Sequence, residues 1–471
     1  MGFLPEGEGV WENLLLMIVY GAVLGFGSKL ISDGCELLLE LGVGGAFIGG
    51  FVLPILGALP DAAIVIASVS GPIETVVESV QVGVGTLAGS TVLLLTLTVA
   101  ASMVYGRCDL GADGEARDLR RVKEGLDWTG QGVTVDKDIM SQAKIMMLCS
   151  VSYLVIQIPG FIYMAQPSDV AAADEHIYAL VGCVLCIAEL VVFSIYCIKN
   201  TAAQERKKRE LKNLHTVHAV LRSFSATRDL ISPHNENTND DERATLIDSH
   251  VSSGLTSNPL SGLGGTDKLM SSAGSLWKKR AADKRIARER GEEASKEEEG
   301  AAEEKEEEVE DKSKILMKVA LLMIGGTALV VFFSDPVTNA MSGFSSALGV
   351  SAFYVSFVVA PLASNASEII SAIIFAGKKR RACISVTFAG CLGAATMNST
   401  LVLGVFLFLI AEKGIKWTFS AEVIAILTVT LVVGIWSCRK QTFKLWEAII
   451  PAMMYPLAIL LIMGLEAMGL D

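Results

Sequence analysis

The sequence contains about ten segments of roughly 20 mostly apolar residues, the length that an α-helix needs to cross the hydrocarbon core of a bilayer. Of the 471 residues, 51% are hydrophobic and 19% are charged, which is more apolar than is usual for a soluble domain. We therefore expect an all-α membrane protein with about ten transmembrane helices. The segments are 13–31, 44–69, 80–105, 142–164, 176–198, 314–334, 348–376, 383–410, 421–437 and 446–465.

A long polar segment, 199–313, divides these ten segments into two groups of five. It is rich in Ser, Asn and Gly in the middle, basic at 278–290 and acidic at 292–311. This composition is typical of disorder or of an isolated charged helix. We therefore predict a first membrane half (1–198), a central segment on which cytosolic regulators could act (199–313) and a second membrane half (314–471).

Lysine and arginine are concentrated in alternate connections between the apolar segments. They occur at 107–123, throughout 199–313, at 378–381 and at 439–444, whereas the other four connections hold only Lys413 and Lys416. Positive residues near membrane helices favour the cytosolic side. The rule places the central segment in the cytosol and both termini on the opposite side.

An internal repeat relates the second apolar segment to the seventh. Pro54 is followed seven residues later by Asp61, and Pro361 is followed at the same spacing by Glu368, with a constant offset of 307 residues. Thirty residues beyond each acid lie Thr91 and Asn398, each in a polar stretch of the next apolar segment. The repeats extend over about 44–105 and 348–410.

The two copies are predicted to have opposite orientations. The connection after Asp61 is non-cytosolic by its charge, and the connection after Glu368 (KKRR) is cytosolic. Inverted repeats with helices interrupted near the bilayer midplane are typical of secondary transporters. A carboxylate inside a membrane costs several kcal/mol, so the two acids are predicted to be functional.

Prolines in both copies predict interruptions of the helices, because proline cannot donate to the carbonyl four residues earlier. In a membrane such a carbonyl needs another partner, and a bound cation is one. The prolines are Pro54, Pro60 and Pro361, and the carbonyls are those of Gly50, Leu56 and Phe357.

Several stretches, in order along the chain, resemble the calcium/cation antiporter superfamily and most closely the plant sodium/calcium exchanger-like proteins. Those in the first half are SDGCELLLEL (32–41), FVLPILGALPDAAIVIASVSG (51–71), VGVGTLAGSTVLLLT (82–96) and GRCDL (106–110). Those in the second half are PLASNASEIISAIIFAGKKRR (361–381), GAATMNSTLVL (393–403) and SAEVIAILTVTLVVGIW (420–436). The resemblance covers both membrane halves and little of the central segment.

This resemblance implies a fold of two inverted five-helix halves, with the ions bound among the second, third, seventh and eighth helices. The implied metal ligands are Asp61, Glu368, Asn365 and Asn398. The implied supporting oxygens are those of Ser364, Ser367, Ser90 and Thr91 and the backbone near Gly57.

The chain also departs from the superfamily pattern. Asp61 stands where the superfamily more often has Glu, and Thr91 stands where it usually has Asn. Plant relatives usually carry EF-hands in the central segment. The nearest match here, at 235–246, lacks the required glycine and the final glutamate, so we predict no EF-hand.

The sequence therefore predicts an antiporter that exchanges Ca²⁺ for Na⁺ by alternating access. The alternative is an H⁺-coupled exchanger of Ca²⁺ or Mn²⁺. A channel or a non-transporting receptor would leave the paired acids unexplained. We expect no enzyme, no nucleic-acid partner and no cofactor besides the transported ions, because no nucleophile motif, basic aromatic patch or phosphate loop occurs. A vacuolar or other internal membrane and the plasma membrane both remain open.

Overall fold

The computed structural model describes residues 5, 7–40, 53–71, 73–120, 125–163, 175–200 and 313–470. By their packing, Met1–Glu205 and Lys314–Asp471 form one compact unit. The predicted central segment, 199–313, lies almost entirely outside the described residues, and so does 235–246, the stretch that most nearly matches an EF-hand loop.

Helices make up most of the described chain. Those of the first half are α1 (Val10–Glu40), α2 (Leu53–Gly57), α3 (Leu59–Val69), α4 (Ile73–Leu93), α5 (Val99–Gly106), α6 (Lys137–Cys149), α7 (Tyr153–Tyr163) and α8 (Glu175–Asn200). Those of the second half are α9 (Ser313–Leu348), α10 (Ala352–Ser364), α11 (Ala366–Gly377), α12 (Arg381–Met397), α13 (Leu403–Lys413), α14 (Ser420–Arg439) and α15 (Ile449–Ala467). Short π-helical turns join α4 to α5 and α12 to α13, and a short 3₁₀ turn joins α6 to α7, so that each pair forms a continuous rod.

Within the described residues, eight helical rods are long and apolar enough to cross a membrane. A further crossing consists of α10 and α11, which meet at an angle of 59°. The predicted second crossing, 44–69, is described only from residue 53 onward and is divided into α2 and α3. The prediction of a multi-pass helical membrane protein is confirmed.

The sixth predicted crossing, 314–334, is too short, because α9 continues to Leu348. Polar residues after Phe333 suggested an end to the apolar segment. In the structure the Ser334 hydroxyl donates to the Val330 carbonyl at 2.5 Å, and the Thr338 hydroxyl donates to the Ser334 carbonyl at 2.9 Å. These side chains satisfy their hydrogen bonds on their own helix, so the helix continues through them.

A small antiparallel sheet gathers two connections at one end of the helices. Its strands are β1 (Cys108–Asp109), β2 (Gln131–Thr134) and β3 (Thr442–Lys444), and β2 is the central strand. β1 and β2 belong to the connection after α5, and β3 belongs to the connection after α14. Both connections are rich in Lys and Arg.

Arg381, the first residue of α12, ties the connection 378–381 to the two connections that form this sheet. Its side chain donates to Asp136 at 3.0 Å, to Glu115 at 3.2 Å and to the Gln441 amide oxygen at 3.1 Å. Its backbone N–H donates to Asp118 at 2.9 Å. One guanidinium group therefore joins three positively charged connections and the start of α12.

We predict that Arg381→Gln lowers the stability of the protein by about 1–3 kcal/mol, because several hydrogen bonds to charged or polar partners are lost together. The measurement is the melting temperature of the detergent-purified protein. The neighbouring Arg380 is exposed and has no side-chain hydrogen bond among the described residues, so Arg380→Gln is the matched control. Equal melting temperatures for the two variants would contradict the role of Arg381.

Candidate ion-binding site

Two interrupted helices occupy equivalent positions in the two repeats. Ala58 alone separates α2 from α3, and Asn365 alone separates α10 from α11, with the same offset of 307 residues. The first hydrogen bond beyond each interruption is also equivalent. Ala62 N–H donates to the Ala58 carbonyl at 3.0 Å, and Ile369 N–H donates to the Asn365 carbonyl at 3.0 Å. The repeat in the sequence is therefore a repeat of backbone structure.

The interruptions follow Pro54 and Pro361 by four residues. Pro361 cannot donate to the Phe357 carbonyl, and the last turn of α10 is closed by Asn365 N–H, which donates to the Pro361 carbonyl at 3.0 Å. The freed Phe357 carbonyl lies against the backbone of Gly89 on α4. The Phe357 carbonyl was expected to face an ion. In the structure it packs against α4 instead.

Pro60 has a different role from the one predicted. It is in the first turn of α3, where a backbone N–H would have no helical partner in any case. Pro60 therefore starts α3 rather than interrupting a helix. The carbonyl of Gly50 lies outside the described residues.

Both acids occupy the third position of the helix that follows the interruption. Asp61 is the third residue of α3, and Glu368 is the third residue of α11. The N-terminus of a helix carries a partial positive charge and unpaired N–H groups, which favour a carboxylate by about 0.3–1 kcal/mol. The interruption therefore both places a carboxylate within the membrane and stabilises it.

Asp61 is buried, with 1% of its surface exposed, and lies at the centre of a polar cluster. The Asn365 amide nitrogen lies 3.4 and 3.5 Å from its two carboxylate oxygens, and the Asn398 amide nitrogen lies 3.4 Å from one of them. The Asn365 nitrogen also lies 2.9 Å from the hydroxyls of Ser90 and Ser364. Side chains from both repeats therefore surround one carboxylate.

Glu368 completes this cluster from the second repeat. Its carboxylate accepts a hydrogen bond from the Ser367 hydroxyl at 2.9 Å. A β-carbon built on Gly57 would lie 3.8 Å from its Oε1 atom, so the carboxylate reaches the end of α2. Each carboxylate thus faces the interrupted helix of the other repeat.

Eight of the nine predicted site residues are joined by these contacts. The exception is Thr91, which is buried and whose hydroxyl donates to the Leu87 carbonyl of its own helix at 2.9 Å. Thr91 is the repeat counterpart of Asn398, whose longer amide reaches Asp61. The Thr91 side chain is shorter than that of Asn398, which explains why only Asn398 contacts Asp61.

A pair of π-helical turns was not predicted from the sequence. They span Leu94–Thr98, between α4 and α5, and Asn398–Val402, between α12 and α13. Asn398 is the first residue of its turn, and such turns often occur at functional sites. The sequence held one signal for the second turn, the run of Ser399 and Thr400. Their hydroxyls donate to carbonyls four residues earlier at 3.0 and 2.8 Å, and bonds of this kind often bend a helix.

The chemistry of this cluster suits a hard cation. Calcium takes about six to eight oxygen ligands, and the cluster offers two carboxylates, two amides and three serine hydroxyls. Among the described residues no group of three or more His, Cys, Asp or Glu side chains could hold a metal ion. A site here would therefore combine two charged ligands with neutral oxygens.

Two repeats that each supply an interrupted helix and a carboxylate define a membrane protein of the inverted-repeat transporter class. The family profile described as sodium/calcium exchanger protein matches residues 12–198 and 318–464. The chain belongs to the sodium/calcium exchanger family. The resemblance noted in the sequence is confirmed.

Curated relatives match almost the whole chain. It is 32% identical over 515 residues to the rice protein named sodium/calcium exchanger NCL1, a match covering 99% of this chain and 86% of the relative. It is 30% identical over 519 residues to the Arabidopsis thaliana protein named sodium/calcium exchanger NCL, covering 99% of this chain and 87% of the relative.

Solved structures with the same fold include the H⁺/Ca²⁺ exchanger CAX, with a TM-score of 0.53 at 11% identity over 97% of this chain and 85% of that one. The structure of native YfkE has a TM-score of 0.52 at 11% identity over 96% of this chain and 93% of that one. The predicted fold class, an all-α membrane protein with the sodium/calcium exchanger fold of two inverted halves, is confirmed.

Close packing of α4 against α10 holds Ser90 beside Asn365. A β-carbon on Gly89 would overlap the Phe357 carbonyl oxygen, and a β-carbon on Gly85 would overlap the Ser356 hydroxyl. The two glycines form a G-x-x-x-G pattern, which lets helix backbones approach closely in membranes.

We predict that Gly89→Ala forces α4 away from α10 and destabilises the protein by about 1–3 kcal/mol, as overpacking does. The measurement is again the melting temperature in detergent. Gly390 on α12 has no atom within 4 Å of the position that a β-carbon would take, so Gly390→Ala is the control. A Gly89→Ala protein as stable as the Gly390→Ala protein would show that the contact tolerates a side chain.

Proposed function

We propose that this protein is a secondary-active antiporter that exchanges Ca²⁺ for Na⁺ across a membrane by alternating access. The observation that carries the proposal is that each repeat's carboxylate lies against the interrupted helix of the other repeat, with Asp61 beside Asn365 and Glu368 beside Gly57. Family membership and the names of the curated relatives support the choice of ions.

The charge of the site explains why exchange would be obligatory. Two carboxylates buried in the membrane are costly unless they are neutralised, and one Ca²⁺ neutralises both. Two Na⁺ ions would do the same. A carrier that changes its orientation readily only when the site is neutral must therefore return with a counter-ion.

We assign Asp61, Glu368, Asn365 and Asn398 as metal ligands. The hydroxyls of Ser90, Ser364 and Ser367 and the backbone near Gly57 are the supporting oxygens. Thr91, whose hydroxyl donates to Leu87 of its own helix, would contribute only through a lone pair of its oxygen. An amide can present either its N–H or its carbonyl group to a neighbour. A half-turn of the Asn365 amide would replace the nitrogen that faces Asp61 with a ligand oxygen.

The alternative is an H⁺-coupled exchanger of Ca²⁺ or Mn²⁺. Each of the two carboxylates can bind one proton, so two protons would neutralise the site as two Na⁺ ions would. On either reading the partners are the transported ions and the bilayer, and the protein is a transporter rather than an enzyme, with no resident cofactor.

We place the protein in a vacuolar or other internal membrane or in the plasma membrane, with 199–313 in the cytosol. The cytosolic side of 199–313 follows from the Lys and Arg residues of the connections. This central segment is where cytosolic regulators would act.

We predict that Asp61→Asn and Glu368→Gln each reduce ⁴⁵Ca²⁺ uptake into proteoliposomes to the background rate. Each replacement keeps the side-chain size but removes one of the two charges that neutralise Ca²⁺. The control is Glu412→Gln, which changes an exposed acid at the end of α13 and should transport normally. Normal uptake by both site variants would show that the ion binds elsewhere.

The coupling ion is tested with the unmodified protein. We predict ⁴⁵Ca²⁺ uptake when an outward Na⁺ gradient is imposed and none when only a pH gradient is imposed. Uptake driven by the pH gradient alone would establish the H⁺-coupled alternative. If neither gradient drives ⁴⁵Ca²⁺ uptake in a monodisperse preparation, both forms of the proposal are contradicted.

A further inference from the structure

The two helices that follow the interruptions run toward opposite ends of the helical unit. α11 ends beside the β-sheet, where the Lys379 carbonyl accepts a hydrogen bond from Leu119 N–H at 2.8 Å. α3 ends near the start of the rod formed by α4 and α5, which runs back to the sheet. We call these two ends the sheet end and the far end. Each acid therefore begins a helix that leads from the ion site to a different end.

Positions 307 residues apart on these helices are matched in the repeat but not in burial. The acid and the residues three and seven positions after it lie on one face of each helix. The matched pairs are Asp61 and Glu368, Ile64 and Ser371, and Ser68 and Phe375. The members on α3 are at most 1% exposed, whereas those on α11 are all partly exposed. This face is therefore closed on α3 and open on α11.

The open face of α11 differs from the face that meets the bilayer. Ile370 and Ile374 are 57% and 59% exposed and lie on the other side of this helix, as suits contact with lipid. The partly exposed face instead carries Glu368 and, one turn later, Ser371. A carboxylate and a hydroxyl that faced lipid would be costly, so this face suits water.

The closed face of α3 is covered by α1 and α9. Ile64 belongs to a cluster of apolar residues with contributions from α1, α4, α9 and α10. The buried members from α1 and α9 are Met17, Tyr20, Leu24, Val337, Ala340 and Met341. They come from the first half of α1 and the second half of α9. Two membrane helices thus seal α3 between the ion site and the far end.

Past this cluster, toward the sheet end, α1 and α9 pack on each other. A β-carbon on Gly326 would lie 2.6 Å from the Gly27 carbonyl oxygen, so the two backbones approach closely. The apolar cluster at this level is built on Ile31 and Val330 and extends to α2 and α3. Among the residues that the structure describes, no cluster of buried apolar side chains joins α1 or α9 to α11. The face of α11 that follows Glu368 is therefore left uncovered.

The residue types agree with the difference in burial. An apolar constriction excludes water and ions, and Ile64 supplies an apolar side chain one turn after Asp61. Its counterpart Ser371 supplies a hydroxyl one turn after Glu368, and the lone pairs of a hydroxyl oxygen can face a passing cation. At the same position of the repeat, the closed side is apolar and the open side is polar.

We propose that the ion site is open to the sheet end in this structure, with Ser371 at its entrance, and that Ile64 is the gate residue against which α1 and α9 close the far end. In the reverse state of the cycle, the same two helices would uncover Ile64 and cover Ser371. The existence of this second state rests on the proposed function, because alternating access requires it. The assignment of the open and closed ends does not.

The open and closed ends are tested with Ser371→Cys and Ser68→Cys, which make the same small change on α11 and on α3. The purified proteins are treated with a hydrophilic thiol reagent, and labels are counted by intact mass relative to the wild type, which has nine cysteines of its own. We expect one additional label on Ser371→Cys and none on Ser68→Cys over the same time. Equal labelling of the two variants, or no additional label on Ser371→Cys, would overturn the proposal. This comparison needs no transport.

The gate is tested by adding Ile64→Ser to each of these variants, because this change gives α3 the residue that α11 has at the matched position. We expect Ser68→Cys to become labelled and the labelling of Ser371→Cys to slow several-fold, since an alternating-access carrier is not open at both ends. No label on Ser68→Cys would overturn the role of Ile64. A label on Ser68→Cys with an unchanged rate at Ser371→Cys would support the gate and contradict alternating access, and with it the proposed function.

Ile64→Val is the matched control, because it keeps an apolar side chain in the cluster and should leave both labelling rates unchanged. If Ile64→Ser is not monodisperse, Leu24→Ser opens the same cluster from α1 and makes the same test. A Ser68→Cys protein that stays unlabelled with Leu24→Ser would likewise overturn the gate.

Discussion

The interruption of two membrane helices is the constraint on which the rest of this structure depends. At Ala58 and Asn365 the backbone leaves the helix and starts it again, and each new helix carries an acid at its third position. Two carboxylates can lie inside the apolar protein because each has a helix N-terminus beneath it and polar side chains around it. An uninterrupted helix would offer neither.

Helix packing then converts two separate acids into one cluster. Gly85 and Gly89 let α4 approach α10 so closely that Ser90 reaches Asn365, and the Phe357 carbonyl freed by Pro361 is covered by that contact. At the far end of the helices, Arg381 holds the start of α12, the rod that carries Asn398. Positions well outside the cluster therefore determine its geometry.

Much of this could be predicted from the sequence, because the constraints involved are local. The repeated spacing from proline to acid located Asp61, Glu368 and the interruptions, and the apolar segments located the crossings. Features that depend on contacts distant in sequence were missed. The role of Gly89, for example, depends on its close contact with the Phe357 carbonyl. The π turns were missed for a different reason, since Ser and Thr runs occur in many membrane helices without them.

The central claim is that Asp61 and Glu368 bind the same ion, and a double-mutant cycle on Ca²⁺ binding tests it most directly. Calorimetry on wild type, Asp61→Asn, Glu368→Gln and the double variant would give four binding free energies. If one Ca²⁺ bridges both carboxylates, the double variant should lose about 1–3 kcal/mol less than the sum of the two single losses. Strictly additive losses would mean that the two acids act on separate sites and would contradict the account.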